Sequence, residues 1–128
     1  MNKTREVKVM KIVIPVLDDG GEVISAHFGR APYFAWFHME GGKVVKRGVV
    51  PNDSEHFGGV GYPPERIARL EPHAVISPGM GMRAINMFQQ MGIAVLQAQA
   101  QTTSENVDLF ARGKLTELTE GCLHAHDH

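Results

Sequence analysis

The 128-residue sequence predicts a single α/β domain: a mixed sheet, antiparallel at one side and parallel at the other, with helices over both faces. Three observations predict it. Strand-like segments joined by a hairpin open the chain, strand and helix signals alternate from Pro63 onward, and the links between them are short. The length also fits one domain of roughly 100–150 residues with a core of its own.

Each element has a local reason. Val7 to Leu17 begins with alternation and turns continuously apolar from Ile12, as a strand does on entering a doubly covered sheet. Pro15 lacks an N–H, which puts it near the strand's end or at a bulge. Asp18-Asp19-Gly20-Gly21 is a turn by composition. Tyr33 to Met39 and Lys43 to Val50 read as strands, with Glu40-Gly41-Gly42 as the hairpin link.

Pro63-Pro64-Glu65 opens a helix to about Leu70, which stops before Pro72. Ala74 to Ser77 is a short buried strand. Met82 to Met91 is a helix whose apolar face carries Ile85, Phe88 and Met91, and Gly92 ends it. Ile93 to Leu96 is the next strand. Thr102 and Glu105 have capping-box spacing for a last helix with a buried stripe of Val107, Phe110 and Ala111, which Gly113 terminates. Leu115 and Leu118 supply a final apolar contact. The domain therefore runs over residues 7–119, and residues 120–128 form a Cys/His-rich tail expected to be flexible.

Composition narrows the function. Thirteen Lys and Arg stand against 14 Asp and Glu, giving a formal charge of −1 with the signs interspersed. No electrostatic grip on nucleic acid follows from that balance. One cysteine makes no internal disulfide, and the apolar runs fall well short of the roughly 20 residues of a membrane span. The polar start, Met1 to Glu6, carries no signal-peptide pattern. A cytoplasmic protein is the expectation, with no nucleic-acid or membrane partner.

Chemistry concentrates in three places. The tail reads Cys122-Leu123-His124-Ala125-His126-Asp127-His128. In an extended segment Cys122, His124, His126 and His128 share one side, and thiolate and imidazole are preferred ligands for zinc, copper and iron–sulfur species. The plain alternatives are a hydrophilic end or a cloning remnant. Ser25-Ala26-His27-Phe28-Gly29-Arg30 follows the first strand, where open sheets place their sites. His27 is able to ligate, and Arg30 offers a permanent cation to an anion. From the residues alone the first reading is a loop anchored by Phe28 and Phe34, with His27 and Arg30 structural or solvated. Gly79-Met80-Gly81-Met82-Arg83-Ala84 sits between a strand and a helix and fits G-x-G-x-x-A. A dinucleotide turn needs an acid about 20 residues on, where this chain reads Gln97-Ala98-Gln99-Ala100-Gln101. What remains is a helix N-terminus suited to an anion. His56, on a glycine-bearing loop, is a further candidate ligand that would close over a guest, against the plainer reading of a solvated side chain. His38 and His73 border predicted elements and receive no role.

At these residues the chain resembles the dinitrogenase iron–molybdenum cofactor biosynthesis family, the NifX-like domains. The matching pieces are Lys11 to Val16, Ser25 to Phe34, Ile76 to Ala84, Gly92 to Val95 and the histidine-bearing end after Cys122. The resemblance implies a ribonuclease-H-like three-layer α/β/α fold with a five-stranded mixed sheet. It also implies non-catalytic binding or carriage of an anionic metal–sulfur cluster, iron–sulfur or molybdenum-containing, or of a cofactor precursor. Carried over by position, Ser25, His27 and Arg30 fall in the first motif, and Gly79, Met80, Gly81 and Arg83 in the second. A protein that donates or accepts the cluster is then an expected partner. The alternative is a regulatory or scaffold domain that binds a protein or nucleotide, with the motifs serving the fold. An enzyme acting on a small anion would need a nucleophile–base pair that the sequence does not offer. Nuclease chemistry would need carboxylates on the central strands, and Ile12 to Leu17 holds none.

Overall fold

The computed structural model describes residues 9–52 and 63–119. The elements are β1 (Val9–Val16), β2 (Tyr33–Glu40), β3 (Lys43–Pro51), α1 (Pro63–Ala68), β4 (Ala74–Ser77), α2 (Met82–Gln90), β5 (Ala94–Gln97) and α3 (Thr103–Ala111). One five-stranded sheet has the order β3-β2-β1-β4-β5. β1 pairs antiparallel with β2 and parallel with β4, so the sheet is mixed and β1 is its centre. Two adjacent positive-φ residues, Gly41 and Gly42, make the tight β2–β3 turn that side chains would strain.

Alternation along the strands sorts the core into two layers. Val13, Phe34, Val75 and Val95 pack with Ile67 of α1 and with Ile85 and Phe88 of α2. Ile12, Ile14, Val16, Ala35, Phe37 and Ile76 pack with Val107 of α3. Helices therefore cover both faces, as the unbroken apolar run of β1 requires. Pro15 is the penultimate residue of β1, beyond the Ile12 and Val13 pairings with β4, so its missing N–H interrupts no ladder there. Gly48 faces Trp36 across β2–β3, and a Cβ on it would come within 2.5 Å of the indole.

Both longer helices stop in Schellman geometry. Ile93 N–H donates to Phe88 O at 2.9 Å, and Lys114 N–H donates to Leu109 O at 2.9 Å, past positive-φ Gly92 and Gly113. Thr102 caps α3, its hydroxyl oxygen accepting from Glu105 N–H at 3.2 Å. Two expected core positions are corrected. Met91 is 42% exposed, because Phe88 and Ile93 close the end of α2 between them. Ala111 is exposed too, and Asn106 takes the buried place on α3, bonded to the backbone of Gln99, Ala100 and Thr102. His73 lengthens the β1–β4 ladder: its Nδ1 accepts from Lys11 N–H at 3.0 Å while its N–H donates to Lys11 O at 2.7 Å. Leu118 N–H donates to Val95 O at 2.8 Å, so the last described residues cover the β5 edge. No helix among the described residues is long and apolar enough to cross a membrane.

Candidate functional site

β1 and β4 are parallel neighbours, and beyond their C-terminal ends the chain departs to opposite sides, toward β2 and toward α2 and β5. Such a switch point leaves a crevice between two loops. Here it holds a cavity of about 450 Å³, lined by Ala26 to Arg30 of the first loop, Gly79 to Gly81 of the second, Arg83, Ala84 and Met87 of α2, and Pro64 of α1. The size is that of a small-ligand site.

Local chemistry sets the first loop. The buried Ser25 hydroxyl donates to His27 O at 3.1 Å and accepts from His27 N–H at 3.2 Å, which closes a tight turn. Ser25 is thus behind the wall, outside the cavity lining, where it shapes the turn. Phe28 is 4% exposed, its ring 5.3 Å from Phe34 and 5.5 Å from Phe88, edge-on to the latter. With Phe28 drawn into the core, His27 and Arg30 on either side of it remain exposed. Among the described residues Arg30 has no ion-pair partner.

The second loop is built the same way. The Ser77 hydroxyl, fully buried, donates to Gly79 O at 2.7 Å. Met80 is 2% exposed and anchors the turn in the core, as Phe28 anchors the other. Gly81 is the N-cap of α2, with φ −65° and ψ 151°, and no side chain caps the helix or places an acid in its first turn. Those angles suit any residue, and among the described residues a Cβ on Gly81 would meet nothing within 4 Å. Among the described residues, then, neither backbone nor packing requires glycine here, and the positive end of the helix stands without a side chain at its N-cap.

Sequence-predicted His27, Arg30, Gly79, Met80, Gly81 and Arg83 line this one cavity. His56, Cys122, His124, His126 and His128 lie outside the described residues. Pro64 and Met87 were not anticipated. Helical spacing carries the signal for Met87, which lies one turn on from Arg83 and Ala84. The lining offers one imidazole, two thioethers and two guanidiniums, with no carboxylate, hydroxyl or thiol among the described residues. No group of three His, Cys, Asp or Glu among them converges on a metal position. Among the described residues, that lining can offer a guest positive potential, two soft thioether contacts and one imidazole.

Comparison with known proteins agrees with this architecture. Residues 10–113 match the family described as dinitrogenase iron-molybdenum cofactor. The uncharacterized Methanocaldococcus jannaschii protein MJ0580 is 32% identical over 117 residues, covering 90% of this chain and 97% of that one. The crystal structure of PH0822 superposes with a TM-score of 0.72 at 33% identity, covering 84% of this chain and 94% of the other. M. jannaschii MJ0327 gives 0.71 at 22% identity, over 87% and 96% of the two chains, a likeness of fold.

Proposed function

The chain belongs to the dinitrogenase iron–molybdenum cofactor family, and from that membership we propose that it holds and delivers an anionic metal–sulfur cluster or a precursor of an iron–molybdenum-type cofactor. The cluster is cargo, iron–sulfur or molybdenum-containing, and the protein is a carrier without catalytic residues. One observation carries the reading. Two motifs some 50 positions apart in the chain wall a single cavity with His27, Arg30 and Arg83 on it and a bare, uncapped helix N-terminus at Gly81.

In this reading Arg30, Arg83 and the N-terminal peptides of α2 attract the sulfide-rich anion, and His27 ligates an exposed metal. Met80 and Met87 give soft contacts. His56 joins His27, and Cys122, His124, His126 and His128 of the 120–128 tail assist capture by the 7–119 domain. A cytoplasmic donor or acceptor protein supplies or receives the cargo.

Anaerobic reconstitution with iron and sulfide, and in parallel with molybdate, copper and sulfide, tests this. Cluster absorption with stoichiometric metal is expected, reduced in His27→Ala and in a chain ending at Thr119. Loading falls on acidification, since only neutral imidazole and thiolate ligate. Absence of a cluster, combined with thermal stabilisation by a nucleotide, would overturn the carrier reading in favour of a regulatory domain.

A further inference from the structure

Asn52 follows the last residue of β3, outside both motifs in the sequence, and is hydrogen-bonded to the first loop. Its Nδ2 donates to Ala31 O at 2.8 Å and to Gly29 O at 3.3 Å, and its backbone N–H donates to Pro32 O at 2.9 Å. Its Oδ1 accepts from Arg66 Nη1 of α1 at 2.7 Å. Guanidinium is a donor only, so the Arg66 contact fixes which side of the amide faces which neighbour. Nδ2 is thereby turned onto the loop carbonyls. Among the described residues no other side chain hydrogen-bonds the 29–31 backbone.

We propose that Asn52 is the positioning residue of the cavity, holding the 27–31 loop so that Arg30 and its backbone N–H are presented to the bound anion. The proposal rests on the anion-carrier reading above. A trans peptide sets C=O and N–H on opposite sides, and the described chain has no cis bond. Turning the Gly29 carbonyl toward Asn52 therefore turns the Arg30 N–H the other way. Phe28 fixes the loop's depth, Ser25 closes its His27 end, and Ala31 N–H reaches Phe28 O only at 3.4 Å, so the rotation of the Gly29 and Ala31 carbonyls is set chiefly by Asn52. Through Arg66 the same side chain ties the loop to α1, whose Pro64 lines the cavity. Asparagine suits this place because one planar group supplies two donors and an acceptor.

Asn52→Asp and Asn52→Leu separate the roles. The aspartate keeps the acceptor for Arg66 and loses both donors to the loop; the leucine is uncharged and loses every side-chain hydrogen bond, and both keep the backbone bond to Pro32 O. Affinity for tetrathiomolybdate, melting temperature, and amide exchange of Gly29, Arg30 and the β1 and β4 strands are measured in each variant and the parent protein. Both variants are expected to weaken tetrathiomolybdate binding about tenfold or more and to speed exchange at Gly29 and Arg30, with the strand amides unmoved. Binding within twofold of the parent in either variant overturns the proposal. So does a loss confined to Asn52→Asp, which would mark its charge and not the loop. Should Asn52→Leu fail to fold, Asn52→Ala supplies the uncharged arm. If the parent protein itself takes up no tetrathiomolybdate, the molybdenum–sulfide form of the carrier reading fails. Amide exchange then judges Asn52 alone: faster exchange in both variants supports positioning, and unchanged exchange refutes it.

Discussion

Replacing Gly81 by aspartate should stabilise the fold and weaken the cargo, two effects of opposite sign from one side chain. The extended angles at Gly81 are those of an N-cap, and the added carboxylate has open space. Aspartate exceeds glycine as an N-cap by a few tenths of a kcal/mol, and its charge at the helix N-terminus adds about 0.3–1 kcal/mol. Reduced freedom of the unfolded chain contributes about 0.4–1 kcal/mol more. The sum is about 1–2 kcal/mol, a rise in melting temperature of roughly 3–10 °C for a domain of this size. The same carboxylate stands where the anion would sit. Two like charges about 5 Å apart repel by roughly 1–3 kcal/mol between water and the protein surface, a loss of about fivefold to 150-fold in affinity. Calorimetric melting and a tetrathiomolybdate titration read the two effects. Gly81→Asn, with a similar cap and no charge, should keep more of the affinity. Full affinity in Gly81→Asp would refute the anion site, and a lowered melting temperature would refute the capping argument.

Three further outcomes are expected. Phe28→Ala should cost about 3–5 kcal/mol in chemical denaturation, because a ring buried against Phe34 and Phe88 leaves a cavity; a cost below about 1 kcal/mol would show that the ring does not anchor the loop. His73→Ala removes the acceptor for Lys11 N–H and leaves the reciprocal backbone bond, so the unfolding free energy should fall by about 0.5–1.5 kcal/mol. The Asp18 carboxyl is held below the usual aspartate range, chiefly by the Val23 N–H and with help from Glu22, against partial desolvation. Its unfolded form binds a proton more readily, so its stabilisation is complete above the ordinary aspartate range and disappears as pH falls through the lower native value. A pH series of melting temperatures should show a flatter acid limb in Asp18→Asn.

Sequence patterning was sufficient wherever the cause is local. The run from Ile12 already requires a strand covered on both faces, and β1 is that strand. Thr102 with Glu105, and Gly92 and Gly113 after their helices, mark ends through hydrogen bonds spanning a few residues. Met91, Ala111 and Asn106 show where this stops. A nine-residue helix rotates by a fraction of a turn at little expense to its apolar pattern, and what Asn106 satisfies lies in a loop whose path periodicity does not encode. The two loop motifs that wall the cavity were visible for the same local reason: each is a small-residue turn beside a strand end.

By itself, then, the sequence determined the order of elements, the two-faced core and the residue types available for binding. The tertiary structure decided that the turn at His27 and the turn at Gly79 share a cavity, because β1 and β4 pair in parallel only after a crossover brings the later strand beside the earlier one. It also decided that Asn52 braces a loop more than 20 residues before it. Such contacts depend on strand order and register, properties of the whole chain's packing that no window of neighbouring residues contains.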